Sequence, residues 1–177
     1  MKPKLYIAYG SNLNLKQMNF RCPTAKLVCT GVVNNYELQF KGMPHGAYAT
    51  IAPCEGKSIP VGIWEIQPMD EKKLDIYEGY PSHYFKEDIP VTVNGEEITA
   101  MVYIMDLKQQ FGVPSEHYFD TVRQGYIDCG LDLNVLDNAV NDSANKYYEN
   151  FKENNPFCFL DEDDGESFTS QLGGMNL

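Results

Sequence analysis

Residues 4–13 read Lys-Leu-Tyr-Ile-Ala-Tyr-Gly-Ser-Asn-Leu, and this stretch decides how the fold begins. Leu5, Ile7 and Tyr9 lie at every second position, and alternation of this kind predicts a β-strand. Gly10 then bounds the strand, because glycine permits the sharp change of backbone direction that a turn needs. The chain is therefore expected to open with a strand whose last residue is Tyr9.

The turn Gly10-Ser11-Asn12 leads into a short helix predicted over residues 14–21, with Ser11 or Asn12 as its N-cap and Pro23 beyond its end. Successive backbone N–H groups in such a turn can point in one direction, and the positive end of the helix dipole adds to their potential. A nest of this kind binds a carboxylate or a phosphate. An ordinary corner between strand and helix has the same pattern, so both interpretations stay open. The turn lacks the signatures of a P-loop and of a dinucleotide fold.

Runs rich in β-branched and aromatic residues predict further strands, and Asn94-Gly95 between two of them is a strong hairpin signal. The predicted strands cover residues 26–40, 48–52, 60–66, 89–93 and 96–104, with a turn at residues 54–57. Helices are predicted over residues 68–77 and 114–130, followed by a last helix that is capped by Asp132 or Asn134 and has the apolar stripe Val135, Leu136, Ala139, Val140, Tyr147 and Phe151. Strand and helix do not alternate regularly. We therefore predict an α+β fold with a mostly antiparallel or mixed sheet, with a small closed barrel flanked by helices as one form of it.

The composition predicts one globular domain and makes nucleic acid an unlikely partner. The chain has 177 residues, of which 43% are hydrophobic, and this is enough for a core. Its formal net charge is −11, and an acidic surface repels nucleic-acid phosphates. The run Asp161-Glu162-Asp163-Asp164 lacks EF-hand spacing and is typical of a solvated segment. We expect a single domain over residues 1–155 and an acidic C-terminal tail over residues 156–177.

Localisation and metal binding are predicted from what the sequence lacks. No stretch approaches the roughly 18 apolar residues of a membrane span, and the first residues do not resemble a signal peptide. A cytoplasmic protein without membrane contact is therefore expected. The five cysteines are odd in number and contain no Cys-x-x-Cys pair, while the three histidines are scattered. We predict neither a disulfide framework nor a metal site.

Two further stretches carry residues that could do chemistry. Glu78 lies among aromatic residues at the predicted end of a helix. Burial there would raise the pKa of its carboxyl and suit it to move protons near neutral pH. Tyr118 lies in the first turn of the helix that Pro114 and Ser115 open. A glutamate before a helix-ending glycine is usually a solvated residue, and a tyrosine in a first helical turn is usually core. The residues alone leave both interpretations open.

The three stretches together, in their order and spacing, resemble the gamma-glutamylcyclotransferase-like family. Tyr9–Leu13 matches, residue for residue, the Tyr-Gly-Ser-Asn-Leu signature that ends the family's first strand. Val61–Trp64 resembles the family's strand that closes on Trp, and Glu78-Gly79 with Tyr84 resembles its Glu-Gly pair and later tyrosine. The residues 114–118, Pro-Ser-Glu-His-Tyr, resemble its Pro-Ser-x-x-Tyr at the start of a long helix.

The resemblance implies a small mixed β-barrel flanked by helices. It also implies a cyclising transferase or lyase that converts a γ-glutamyl group to 5-oxoproline and releases an amine. Glu78 would be the catalytic residue, taking a proton from the substrate's α-amino group and returning one to the departing amine. The implied substrate-binding residues are Tyr9, Gly10, Ser11, Asn12, Leu13, Tyr84 and Tyr118. No metal or organic cofactor is implied, and the resemblance leaves open the leaving amine and the choice between monomer and homodimer.

Departures from the family pattern and two alternatives keep the function open. The family's glutathione-specific branch resembles Tyr-Gly-Ser-Leu, so glutathione is not assigned. One alternative is a non-catalytic module that binds a carboxylate ligand in the same nest and tolerates Glu78→Gln. Another is a hydrolase with Ser11 as its nucleophile. Ser11 lacks a Gly-x-Ser-x-Gly elbow, however, and the sequence places no histidine to serve it.

Overall fold

The computed structural model describes residues 3–155, which form a five-stranded barrel with helices packed around it. The strands are β1 (Lys4–Ala8), β2 (Lys26–Lys41), β3 (Tyr48–Ile66), β4 (Tyr84–Val93) and β5 (Glu96–Met105). The helices are α1 (Leu15–Arg21), α2 (Pro68–Glu78), α3 (Glu116–Asp128) and α4 (Leu133–Asn154), and a 3-10 turn over Ser11–Leu13 precedes α1. The acidic tail predicted over residues 156–177 lies outside the described residues.

The sheet is mixed and closed, as the sequence predicted. Its strand order is β1-β3-β2-β4-β5, and every neighbouring pair is antiparallel except β1 and β5. These two strands run parallel and close the barrel through the pairs Tyr6↔Met101 and Ile7↔Val102. Ile7, Ile63 and Val102 are fully buried in the core. Each such side chain stabilises the barrel by about 1.5–3 kcal/mol through the hydrophobic effect.

The prediction of two strands at 48–52 and 60–66 is wrong, because β3 is one strand of 19 residues. The pairing with β2 jumps from Asn34↔Ser58 to Tyr36↔Pro53, so residues 54–57 form a bulge in a continuous ribbon instead of a turn. Asn35 has a positive φ of 60° at this point, and its side chain accepts a hydrogen bond from the Gly56 N–H at 3.1 Å. The bulge bends the ribbon and lets it wrap around the barrel.

The predicted N-cap of the first helix is also wrong. Ser11 and Asn12 belong to the 3-10 turn, and the cap of α1 is Asn14, whose side-chain oxygen accepts from the Gln17 N–H at 3.0 Å. The extra turn has a consequence for the site. Because Asn14 caps the helix, the side chains of Ser11 and Asn12 are free to bond elsewhere in the fold.

The other helix ends and the hairpin confirm the predictions. Asn94 and Gly95 have φ values of 51° and 85°, as a type I′ turn requires. Ser115 caps α3, and Asp132 caps α4. The stripe predicted on α4 is buried only in its first half, at Leu136 and Ala139. Among the described residues, no helix is long and apolar enough to cross a membrane.

Candidate active site

Most of the predicted site residues meet at one small cavity, where β1 ends and α2 ends. The volume in it that is open to a water-sized molecule is about 20 Å³, so the cavity is narrow in this structure. The described lining consists of Tyr6, Tyr9, Gly10, Ser11, Asn12, Ala49, Glu78, Tyr84, Tyr103 and Tyr118. Leu13 is the one predicted residue that does not line it. Its side chain is fully buried in the core, where it packs close to Gly62 and Gly125.

Glu78 is the last residue of α2, and Gly79 fixes its position. Gly79 has a φ of 65°, the left-handed conformation that ends many helices. A Cβ atom at this position would lie 2.5 Å from Cδ2 of His83. The Gly79 carbonyl accepts from the N–H groups of Ser82 and His83, so the chain turns sharply after the helix. Glycine suits both the left-handed conformation and the crowded space beside His83, and this junction holds the Glu78 carboxyl at the cavity.

Burial raises the pKa of Glu78 to about 7, although the hydrogen bond from Asn12 and the charge of Arg21 both act to lower it. The Asn12 side-chain N–H group, Nδ2, donates to Glu78 Oε1 at 2.8 Å. The position at a helix C-terminus also disfavours negative charge. A carboxyl that is about half ionised at neutral pH can accept a proton and return one within a single reaction.

Three tyrosine hydroxyls around the cavity are held in fixed hydrogen-bonding roles. Tyr84 donates to the Ala49 carbonyl at 2.9 Å, and the Ala49 N–H donates to the Tyr118 hydroxyl at 3.2 Å. Tyr9 donates to the carbonyl of Tyr103 at 2.5 Å. Burial raises the pKa of all three hydroxyls, so they stay neutral near pH 7. Tyr9 and Tyr84 therefore offer oxygen lone pairs to a ligand, while Tyr118 retains a proton to donate.

Gly10 lies in a tight space beside Ala49 and Tyr118. Its φ of −117° is open to any residue, but a Cβ would lie 3.2 Å from the Ala49 Cβ and 3.3 Å from the Tyr118 hydroxyl. A side chain at this position would therefore press on the donor group of Tyr118. The Gly10 carbonyl accepts from the Leu13 N–H at 3.0 Å, which forms the 3-10 turn. The first N–H groups of such a turn have no partner within it and can bind an anion.

Sequence reasoning missed five residues of the site and its surroundings: Tyr6, Arg21, Ala49, Tyr77 and Tyr103. Tyr6 and Tyr103 are almost fully buried, and Tyr6 accepts from the Asn12 amide at 2.8 Å. A tyrosine within an otherwise apolar strand was the available signal for these two. Nothing local marked the others, because barrel closure and helix packing bring them to the site.

A larger depression lies elsewhere, beside α4. Its described lining consists of Gln110, Phe111, Tyr147, Asn150, Phe151, Asn154 and Asn155. These residues are amides and aromatics, without a carboxyl, a thiol or an imidazole. Over residues 3–155, no group of three or more His, Cys, Asp or Glu side chains is placed to hold a metal ion.

The fold and the cavity define a class of protein: a small closed barrel with one titratable carboxyl and several tyrosine hydroxyls lining a small cavity. Comparison with known proteins places the chain within that class. The family model "Gamma-glutamyl cyclotransferase, AIG2-like" matches residues 6–120, and the chain belongs to this family.

Individual relatives agree with the family assignment. The chain is 29% identical to human gamma-glutamylcyclotransferase over 152 residues, which cover 81% of this chain and 80% of the relative. It is 31% identical to the mouse protein of the same name over 136 residues, 72% of each chain. A solved structure named gamma-glutamyl cyclotransferase superposes with a TM-score of 0.71 at 27% identity, covering 78% of this chain and 86% of that one. The family-level activity of these relatives is cyclotransfer of a γ-glutamyl group.

Proposed function

We propose that this protein cyclises the γ-glutamyl group of a γ-glutamyl amino acid or γ-glutamyl amine to 5-oxoproline and releases the amine, with Glu78 as the proton-transfer residue. One observation carries the proposal. The Glu78 carboxyl lines a small cavity beside the turn at Gly10–Asn12, and burial raises its pKa to about 7. The family-level activity requires a group that first removes a proton and then supplies one, and this carboxyl has both capacities.

The α-ammonium group of the substrate first loses a proton to water, and the reaction of the resulting neutral amine then balances with a single shuttled proton. The α-amino nitrogen of the substrate attacks its own side-chain amide carbon, so that a new C–N bond closes a five-membered lactam. Glu78 takes a proton from the attacking nitrogen and passes it to the departing nitrogen as the original C–N bond breaks. Both steps involve only proton transfer and nucleophilic attack, so the chemistry asks for no redox partner.

The fixed roles of the tyrosines suggest how the substrate would lie. The oxygens of Tyr84 and Tyr9 accept hydrogen bonds and suit the substrate's α-ammonium group. The Tyr118 hydroxyl has a proton to donate, and it suits the amide oxygen on which negative charge develops during attack. The N–H groups at the start of the Ser11–Leu13 turn would bind the α-carboxylate. Holding the glutamyl chain bent in this way supplies the orientation that ring closure needs.

The test is an assay with purified protein and a panel of γ-glutamyl dipeptides and γ-glutamyl amines, with 5-oxoproline measured by mass spectrometry. We expect product from the native protein and none from Glu78→Gln. Glu55→Gln is the matched control, because Glu55 is an exposed glutamate outside the cavity. Product formation that survives Glu78→Gln would overturn the proposed role. The leaving amine that gives the highest kcat/KM identifies the substrate class.

The non-catalytic binding module remains the second candidate, because the same turn and tyrosines could hold a carboxylate ligand without turnover. It predicts that γ-glutamyl compounds bind, that none is converted, and that Glu78→Gln binds them equally well. Calorimetric titration of the same panel separates the two functions. The hydrolase alternative has less support, because the Ser11 hydroxyl pairs with the Tyr77 hydroxyl at 3.0 Å and no histidine belongs to the described lining.

A further inference from the structure

Arg21, the last residue of α1, lies behind the cavity and does not line it. Its guanidinium group forks between two partners of the site. Nη1 donates to Oδ1 of Asn12 at 2.8 Å, and Nη2 donates to the Tyr77 hydroxyl at 2.7 Å. Nη2 also contacts Gln17, and the guanidinium carbon lies 3.8 Å from the centre of the Tyr77 ring. Arg21 is therefore held by several contacts in one orientation.

This arrangement determines which way the Asn12 amide faces. An arginine side chain has donors and no acceptor, so it must meet the oxygen of the amide and not its NH₂ group. The NH₂ group is thereby turned to the opposite side. There it donates to Glu78 Oε1 and to the Tyr6 hydroxyl, each at 2.8 Å. If the amide were reversed, its oxygen would face the Glu78 carboxylate and repel it.

We propose that Arg21 is a positioning residue of this site, which acts through Asn12 by fixing the amide so that it donates to the Glu78 carboxylate. The role in turnover rests on the function proposed above. Arg21 itself touches no reacting atom. The structural claim, that the guanidinium orients the amide, stands independently of which substrate is used.

The other titratable groups that face Glu78 do not supply this effect. They are tyrosines: Tyr6 and Tyr9 from the β1 region, Tyr84 from β4, Tyr103 from β5 and Tyr118 from α3. Burial raises the pKa of each, so all are neutral near pH 7. The groups that lower the pKa of Glu78 are the Asn12 amide and the Arg21 charge. Loss of Arg21 would remove the charge and release the amide, and both changes raise the pKa of Glu78.

The experiment compares Arg21→Met with Arg21→Lys. We expect Arg21→Met to raise the pKa of Glu78 by about one unit. This pKa is measured by carbon NMR of protein labelled at the glutamate carboxyl, and the Glu78→Gln variant assigns the signal. We expect kcat to fall about tenfold or more while KM changes less than about threefold, because Arg21 touches no substrate. Arg123→Met is the matched control, since Arg123 is the chain's other arginine and is exposed on α3.

Arg21→Lys separates positioning from charge, because a lysine keeps the charge but cannot fork to Asn12 and Tyr77 together. We expect Arg21→Lys to bring the pKa of Glu78 part of the way back to its native value. We expect kcat to stay close to that of Arg21→Met. Full rescue of kcat by lysine would contradict the positioning role. This variant also serves if Arg21→Met fails to fold, which thermal unfolding will show.

A double-mutant cycle with Asn12→Ala tests whether Arg21 acts through that amide. We expect Arg21→Met to lower kcat much less in the Asn12→Ala background than in the native protein, because the group it orients is absent. Equal effects in both backgrounds would overturn the proposal, as would an unchanged Glu78 titration in Arg21→Met. If the native protein turns over no compound of the panel, the proposed function fails. The NMR titration still decides whether Arg21 sets the state of Glu78.

Discussion

Two half-buried glutamates, one at the end of α2 and one on β2, show how the same side chain is given different properties. Glu78 meets an amide donor, and burial raises its pKa to about 7. Glu37, on β2, meets Lys57 at 2.7 Å and Lys146 at 3.3 Å. Burial acts to raise its pKa too, but the bonds from Lys57 and Gln39 and the charges of the two lysines outweigh burial and lower the pKa to about 2.

The difference between them is whether a cation bonds directly to the carboxylate. At Glu37 the lysines touch the carboxylate, stabilise its charge and fasten α4 and β3 to β2. At Glu78 the guanidinium of Arg21 bonds to Asn12, whose amide bonds to the carboxylate, and the Arg21 charge acts on Glu78 without a direct ion pair. A direct ion pair would keep the carboxyl ionised and remove its ability to donate a proton near pH 7. The surroundings of Glu37 thus favour a stabilising ion pair, and those of Glu78 suit the proton transfer proposed for it.

The largest difference expected between the two glutamates is in turnover. Glu78→Gln should lower 5-oxoproline formation by about 10³-fold or more, because the amide side chain cannot exchange a proton. Glu37→Gln should leave kcat within about twofold, since Glu37 lies outside the cavity lining. Parallel assays of the two purified variants check this pair. Equal losses in both would mean that the Glu78 effect is structural.

The second effect is a gain in stability. The pKa of Glu78 in the folded state lies above its unfolded value of about 4.5, so folding becomes less favourable as pH rises from 4.5 to 7. Glu78→Gln removes this penalty and should raise the free energy of unfolding by about 3 kcal/mol above pH 7, with the gain vanishing below pH 4.5. Urea denaturation of native and variant protein at several pH values measures it. A destabilised variant at pH 8 would contradict the account.

The third and smallest effect has the opposite sign. The folded-state pKa of Glu37 is depressed to about 2, so its contribution is fully present above pH 4.5 and is lost as pH falls toward 2. Glu37→Gln should lower the free energy of unfolding at pH 7 by about 1 kcal/mol, a value reduced because Lys57 is half exposed. The same denaturation series checks it, and Glu55→Gln should change stability little. An unchanged free energy of unfolding at pH 7 would show that these ion pairs do not stabilise the fold.

The sequence predicted what local chemistry determines. Gly79 ends α2 and Asn94-Gly95 makes the hairpin because their backbone conformations favour those residues wherever they occur. The family motif brought Tyr9–Asn12, Glu78, Tyr84 and Tyr118 into one hypothesis, and the structure places all of them at one cavity. That they bind and convert a γ-glutamyl substrate stays a prediction.

The remainder depends on contacts between residues far apart in the chain. The sequence of residues 54–57 is typical of a turn, and only the pairing of β3 with β2 shows that these residues form a bulge. Tyr103 reaches the site because β5 closes the barrel against β1, and Arg21 reaches Asn12 and Tyr77 because α1 packs on α2. No pattern within a short window of sequence reports such neighbours.

The most direct test of the central claim is the titration of Glu78 in the native protein, read by carbon NMR of the labelled carboxyl and compared with the pH dependence of kcat/KM. We predict that the Glu78 signal titrates near pH 7 and that the acid limb of kcat/KM has the same midpoint, because the free enzyme's carboxyl must be ionised to accept the proton. A Glu78 midpoint near 4.5, or an acid limb that persists unchanged in Glu78→Gln, would contradict the claim that this residue transfers the proton.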